Sequence, residues 1–416
     1  MAKNIYQVKE GVLAYNAGDG LKFHKIEYPT NLDPERVDLV NNYTTGNEYA
    51  APNMRTGSVY EFAFRTYMLG VGTPGSGVVA HWDVLLRAAG FNETLDSITN
   101  DAGGFTYVAA NTNFNTDVIA GATVPINLVY NIDRRLWRTM TNCVLDGAFR
   151  IEAGQFPMIE FNAWGRVPTG HAVDTALVSR GADFDITPFR SEGVTVTLVQ
   201  HAPDVEGAAT ATGTTILTST SSDFLAAGVQ IGWVITNDTD GSTGGGVVTA
   251  ITATTLTHTA LTGPGANDWS IADEFTIVPP ASYSLSDYNV RSVVLPFGNN
   301  CQHQPGITGS NGYDDPRIIG RSGGVFYVID MYEPNRAGGF DWQRAAEVAS
   351  GNDDHYFSVT ITVNAGGATG NRFEFEFDAK PTGKGGELSG SVGTELRRML
   401  VLEQMDNSGP LTLNIT

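Results

Sequence analysis

Hydrophobic and polar residues alternate through much of this 416-residue chain, with the period of a half-buried strand. The pattern is cleanest in "SVTITVNAGGATGNRFEFEFDAKPTG", Ser358 to Gly383. Phe373, Phe375 and Phe377 fall on one face, and Glu374, Glu376 and Asp378 on the other. On the partner strand Val359, Ile361 and Val363 oppose Thr360, Thr362 and Asn364. An earlier stretch, "VLDGAFRIEAGQFPMIEFNAWGRVPTG" (Val144 to Gly170), repeats the device with Ala153-Gly154 as its turn. There Ile159, Phe161 and Ala163 alternate with Glu160, Asn162 and Trp164. Each hairpin predicts a sheet with an apolar face to bury and an acidic face in water, which is half of a sandwich.

Other elements surround the two hairpins. "SVYEFAFRTYMLG" (Ser58 to Gly70) alternates as a strand, and "VAHWDVLLRAAGF" follows it. In the latter Trp82, Leu85, Leu86 and Ala89 stand at helical spacing, with Gly90 as a stop. "VPINLVYNIDRRLWRTMTNC" (Val124 to Cys143) predicts two strands about a turn at Asn131 to Asp133. Later, "GGVFYVIDMYEP" reads as a strand and "FDWQRAAEVASGN" as a helix with a glycine stop, ahead of the second hairpin. Strand, helix and hairpin thus recur at unequal spacing. A loose internal duplication is the reading; two unrelated β-domains is the alternative.

Composition adds a boundary. From Ser191 to Val290 no Lys or Arg occurs, while acids continue and Thr, Ala and Gly become frequent. "TGTTILTSTSSDF", "GVQIGWVITN" and "GGVVTAITATTLTHTAL" are short strand signals within it. Residues 200–280 therefore read as a small acidic β-rich insertion ending at Pro279-Pro280, between parts 1–199 and 281–416.

Charge narrows the function. With 25 basic and 45 acidic residues the net charge is -20, a surface that repels DNA instead of gripping it. Salt adaptation or plain solubility explains the same excess. No Lys lies between Lys25 and Lys380. Lysine on strand edges discourages unwanted pairing, so its scarcity points to edges covered by other subunits. The opening "MAKNIYQVKEGVLAYNAG" carries no apolar signal core, no apolar run is long enough to span a membrane, and two cysteines make no disulfide framework. Export and a membrane are not expected.

Catalytic signatures are missing. The seven histidines are scattered without ligand spacing, and no nucleophile elbow, phosphate loop or zinc helix appears. "NDTDGS" (Asn237 to Ser242) begins like a calcium loop but lacks its distal ligands, which leaves an Asp-Gly turn. No enzyme, metal site or cofactor is expected. Arg134, Arg135 and Arg138 beside Trp137 are candidates for pairing with acids across a subunit boundary.

In order along the chain, "WDVLLRAAGFNETL" and "DGAFRIEAGQFPMIEFNAWG" resemble the tail tube proteins of long-tailed bacteriophages, in the class with a duplicated tube domain. That family carries a Leu-Leu-Arg-Ala-x-Gly-Phe helix end, a glycine-bearing hairpin and a Pro-x-Ile/Leu-x-Phe-x-x-x-Gly strand. Leu85 to Phe91, Gly147 to Gly154 and Pro157 to Gly165 correspond, although Phe149-Arg150 stands where a second glycine is usual. "GGATGNRFEFEFDAKPTG" looks like the family's last hairpin. The resemblance covers 55–195 well and 320–416 loosely, and omits 200–280.

The resemblance implies β-sandwich tube domains with flanking short helices. Their inner sheets would close across subunits into one barrel, stacked as rings in a virion tail made in the host cytoplasm. Two tube domains per chain imply a trimeric ring. Partners would be the chain itself, a tape measure protein and passing double-stranded DNA without specific binding, and tail terminator and baseplate proteins. A duplex must slide without sticking, so carboxylates, hydroxyls and amides suit the lining. Candidates are Glu152, Glu160 and Asn162 from the first hairpin, and Thr360, Thr362, Glu374, Glu376 and Asp378 from the second. The insertion is expected outside. The alternatives are a surface decoration or adhesin protein binding host glycans through the insertion, and a secreted glycan hydrolase.

Overall fold

The computed structural model is mainly β with few, short helices. It describes residues 59–68, 82–96, 104–109, 126–131, 137–166, 193–242, 244–263, 268–285, 289–303, 316–321, 325–333, 342–350, 353–364, 372–382, 389–390, 396–405 and 411–415, with short strands at 12–16, 21–25, 38–39 and 54–55.

Two antiparallel sheets form the body. In the front sheet the order is Val59–Tyr67, Met158–Arg166, Trp137–Glu152, Asn289–Pro296, Phe326–Glu333 and Leu396–Gln404. In the back sheet it is Phe91–Asp96, Gly104–Ala109, Thr412–Ile415, Phe373–Pro381, Tyr356–Val363, Thr195–His201 and Tyr283–Ser284. Strand Phe373–Pro381 belongs to both. Its start pairs within the back sheet, while Ala379, Lys380 and Pro381 pair with Gln404, Glu403 and Leu402 of the front.

The alternation read from sequence decides which face is buried. Phe149, Ile159, Phe161 and Ala163 of the first hairpin are at most 1% exposed, and so are Val359, Ile361, Phe373 and Phe375 of the second. These faces meet. The Phe149 and Phe375 rings lie 4.9 Å apart, and Tyr327 of the front sheet lies tilted 4.3 Å from Phe377 of the back. Aromatic pairs at such distances add about 0.5–1.5 kcal/mol beyond the area they bury.

The helices form as their spacing predicts. Asp83–Ala88 buries Trp82, Leu85, Leu86 and Ala89 completely and stops at Gly90, whose φ of 79° is left-handed. Trp342–Ala349 sets Trp342 6.0 Å from Phe357. The two strands expected in Val124 to Cys143 are Ile126–Asn131 and Trp137–Glu152, the latter running unbroken into the first hairpin. Gly147 has a specific duty there: a Cβ would sit 2.1 Å from the Glu160 carbonyl oxygen, so only glycine permits that approach.

Two expectations change. The parts 1–199 and 281–416 do not form separate sandwiches among the described residues; one core runs from Phe64 to Ile415. Strands from the two parts are neighbours, with Phe105 opposite Ile415 and Thr195 opposite Thr362. The two hairpins are therefore opposed layers of one sandwich, each the cover for the other's apolar face. Thr362 also departs from a water-facing role, being 7% exposed, because its neighbours Glu374 and Arg372 pair beside it at 2.8 Å.

Residues 205–278 build a separate six-stranded sheet, in the order Val205–Ala208, Glu274–Val278, Val234–Asn237, Gly246–Ile251, Thr255–His258 and Ile216–Thr218. Its own core holds Trp233, Trp269, Phe224, Phe275 and Leu217. It leaves the back sheet after His201 and returns at Tyr283. Gln200 Oε1 ties it to the body, accepting from Trp233 Nε1 and Tyr283 Oη at 3.2 Å each.

Candidate functional site

Side chains directly opposite one another across antiparallel strands point to the same side of the sheet. On the outer face of the back sheet this produces two polar rows. One runs Thr195, Thr362, Glu374, Asn414, and the next Thr197, Thr360, Glu376, Thr412. Ser358 and Asp378 begin a third. The period-2 runs "TVTLV" and "TLNI" carried the signal for Thr195, Thr197, Thr412 and Asn414, which sequence reasoning left out.

Hydrogen bonds hold these carboxylates in place. Ser358 donates to Asp378 at 2.6 Å, Asn414 to Glu376 at 3.2 Å, and Arg372 to Glu374 at 2.8 Å. Lys380 bonds Asp353 at 2.5 Å, and that contact lowers the Asp353 carboxyl below its usual range. The face thus presents Glu374, Glu376 and Asp378 beside two cations, Arg372 and Lys380, each engaged by a carboxylate.

The front sheet's outer face differs. Arg65 meets Glu160 at 2.8 Å, and Arg150 bridges Glu160 at 3.1 Å and Glu152 at 3.5 Å. Burial opposes the Arg150 charge, but the two carboxylates outweigh it and raise its pKa. Glu152 and Glu160 are neutralised where they stand. Asn162 is exposed beside a hollow of about 580 Å³ lined also by Arg65, Asp146 and Glu160.

The eight lining candidates therefore divide. Glu152, Glu160 and Asn162 lie on one outside of the sandwich, and Thr360, Thr362, Glu374, Glu376 and Asp378 on the opposite outside. One bore cannot be lined by both sets from the same ring, because the shared core separates them. Arg134 and Arg135 fall outside the described residues, and Arg138 is placed only as backbone of strand Trp137–Glu152.

The Asn237–Ser242 segment is a turn held by its own side chains. Asn237 Nδ2 donates to Asp240 and Asp273, while Thr236 and Thr276 hydroxyls donate to Asp238. Among the described residues no group of three or more His, Cys, Asp or Glu is arranged to hold a metal ion. No protein-family model matches this chain, and no curated protein matches it.

Proposed function

We propose that this chain is the ring subunit of a tail-type tube, and that the outer face of its back sheet lines a bore through which double-stranded DNA passes. The observation that carries the reading is the pair of Thr, Asn and Glu rows across four strands; among the described residues the cations beside the acids, Arg372 and Lys380, are each held by a carboxylate. Each phosphate contact by a cation adds affinity and retards sliding, so an anionic, hydroxyl-rich wall lets a duplex move. The order of motifs from Leu85 to Gly165 supports the same assignment.

One sandwich per chain changes the proposed stoichiometry. A circle of six sandwiches takes six chains, where two sandwiches per chain would have taken three. Lateral closure needs unpaired strand edges. Among the described residues Val59–Tyr67 and Phe91–Asp96 each pair on one side only. The proposed partners are further copies above and below, a tape measure protein inside, and terminator and baseplate proteins at the ends. The insertion, with its separate core, occupies the exterior.

Electron microscopy of the purified full chain at high concentration tests this. Hollow, evenly striated rods with sixfold projections are expected. Discrete particles at every concentration would overturn the reading and favour a decoration or adhesin role for the insertion.

A further inference from the structure

A cleft of about 750 Å³ opens where the insertion meets the body. One wall is the start of strand Val205–Ala208 and the Leu225–Ala227 turn; the other is helix Trp342–Ala349 and His355. The walls are fixed against each other. Arg344 donates to the Phe224 and Leu225 carbonyls at 3.1 and 2.7 Å, which pins the turn to the helix. Gly228, at φ +78°, passes so close that a Cβ would lie 2.9 Å from Val348. The cleft is preformed, at a junction between structural units where ligand sites commonly occur.

Its chemistry is one-sided. Asp204, Glu206 and Glu347 line it, and the carboxylates of Asp204 and Glu206 make no hydrogen bond or ion pair among the described residues. His355 is only 8% exposed, yet its imidazole has no hydrogen-bond partner among the described residues and borders the cleft. Burial, with the Lys380 charge adding to it against Asp354, lowers the His355 pKa and favours the neutral ring, in which one nitrogen can accept. A ring nitrogen without a protein partner at the border of the cleft is a position that a ligand's donor can occupy. Leu225, 40% exposed, and Val348 supply an apolar strip alongside.

Acceptors, negative charge and an aliphatic strip define the complementary ligand. Phosphates and carboxylates are repelled. A metal ion is disfavoured, since no three acids or histidines converge to hold one among the described residues. We propose that this cleft binds an aliphatic polyamine, with one ammonium between Asp204 and Glu206, its chain along Leu225 and Val348, and another nitrogen donating to His355. The inference is independent of tube assembly.

Calorimetric titration of the full chain with spermidine at low salt tests it, with 1,6-hexanediol as the uncharged control of similar length. Saturable binding of one spermidine per chain is expected, with none for the diol. The double variant Asp204→Asn/Glu206→Gln should weaken binding at least tenfold, and His355→Gln severalfold, with thermal melting showing each variant folded. Asp268→Asn/Glu274→Gln removes the same charge from exposed positions elsewhere in the insertion and should leave binding unchanged. Many weak sites, or equal losses in the two double variants, would show diffuse attraction to an acidic protein and overturn the proposal.

Discussion

The indole nitrogen of Trp269 donates to Nε2 of His258 across 2.8 Å, inside the core of the insertion. The other ring nitrogen faces the Thr259 carbonyl at 2.8 Å, so the neutral imidazole with its proton on Nδ1 satisfies both. A second proton would set two N–H donors against each other.

Desolvation accordingly lowers the His258 pKa from 6.5. The sign follows from linkage. A histidine held neutral contributes stability that is complete above the unfolded value and is lost as pH falls through about 6.5 toward the folded value, at up to about 1.4 kcal/mol per pH unit. Melting of the insertion, followed by near-ultraviolet circular dichroism, should be level from pH 8 to 7 and decline below 6. His258→Gln should be less stable at pH 8 and show a smaller decline. Equal acid sensitivity in the two proteins would remove His258 from the account.

Gly147→Ala should cost about 3 kcal/mol, since the added methyl meets backbone rather than a movable side chain. A shift in the denaturant midpoint at unchanged slope measures it. Gly154→Ala offers a contrast. No atom lies within 4 Å of the new methyl there, and only its φ of +74° opposes the change.

Phe375→Ala should destabilise the body by about 3–5 kcal/mol, the range for a buried phenylalanine. A double-mutant cycle with Phe149→Leu should return a coupling of about 0.5–1.5 kcal/mol. Additive effects would mean that the two layers do not share a core.

On the proposed tube reading, replacing Glu374, Glu376 and Asp378 by lysine should leave tubes assembled and impair DNA ejection. The same change at Glu152 and Glu160 should have little effect on ejection and should instead destabilise the sheet by stranding Arg65 and Arg150. Normal ejection by the triple variant would remove the back face from the bore.

Deleting 203–278 with a short Gly-Ser bridge should preserve the body, because the insertion folds around its own core and leaves and rejoins beside one strand pair. Tyr283 keeps Gln200 as its acceptor. Circular dichroism and microscopy of the deleted chain check this; an unfolded product would make the insertion part of the body.

Much of the fold was legible because alternation reports which face is greasy. It marked Phe373, Phe375 and Phe377 as core, and Trp82, Leu85 and Leu86 as one buried helix side. It does not report which greasy face meets which. Phe149 and Phe375 are distant in sequence, and their mutual burial is a property of the pairing order, which no local pattern encodes. For the same reason the pairing of Arg65 and Arg150 with Glu160 was hidden. The site at His355 left only a scattered histidine in the sequence, since its surroundings come from the insertion, the helix and the back sheet together.

A strand hydrogen-bonded into both layers, as Phe373–Pro381 is, makes a seam that cannot peel. Forcing the layers apart there means breaking backbone bonds in register, whereas elsewhere it means only separating oily surfaces. A cylinder wall assembled from such units would carry bursting load along continuous polypeptide and yield, if at all, at the joints between subunits.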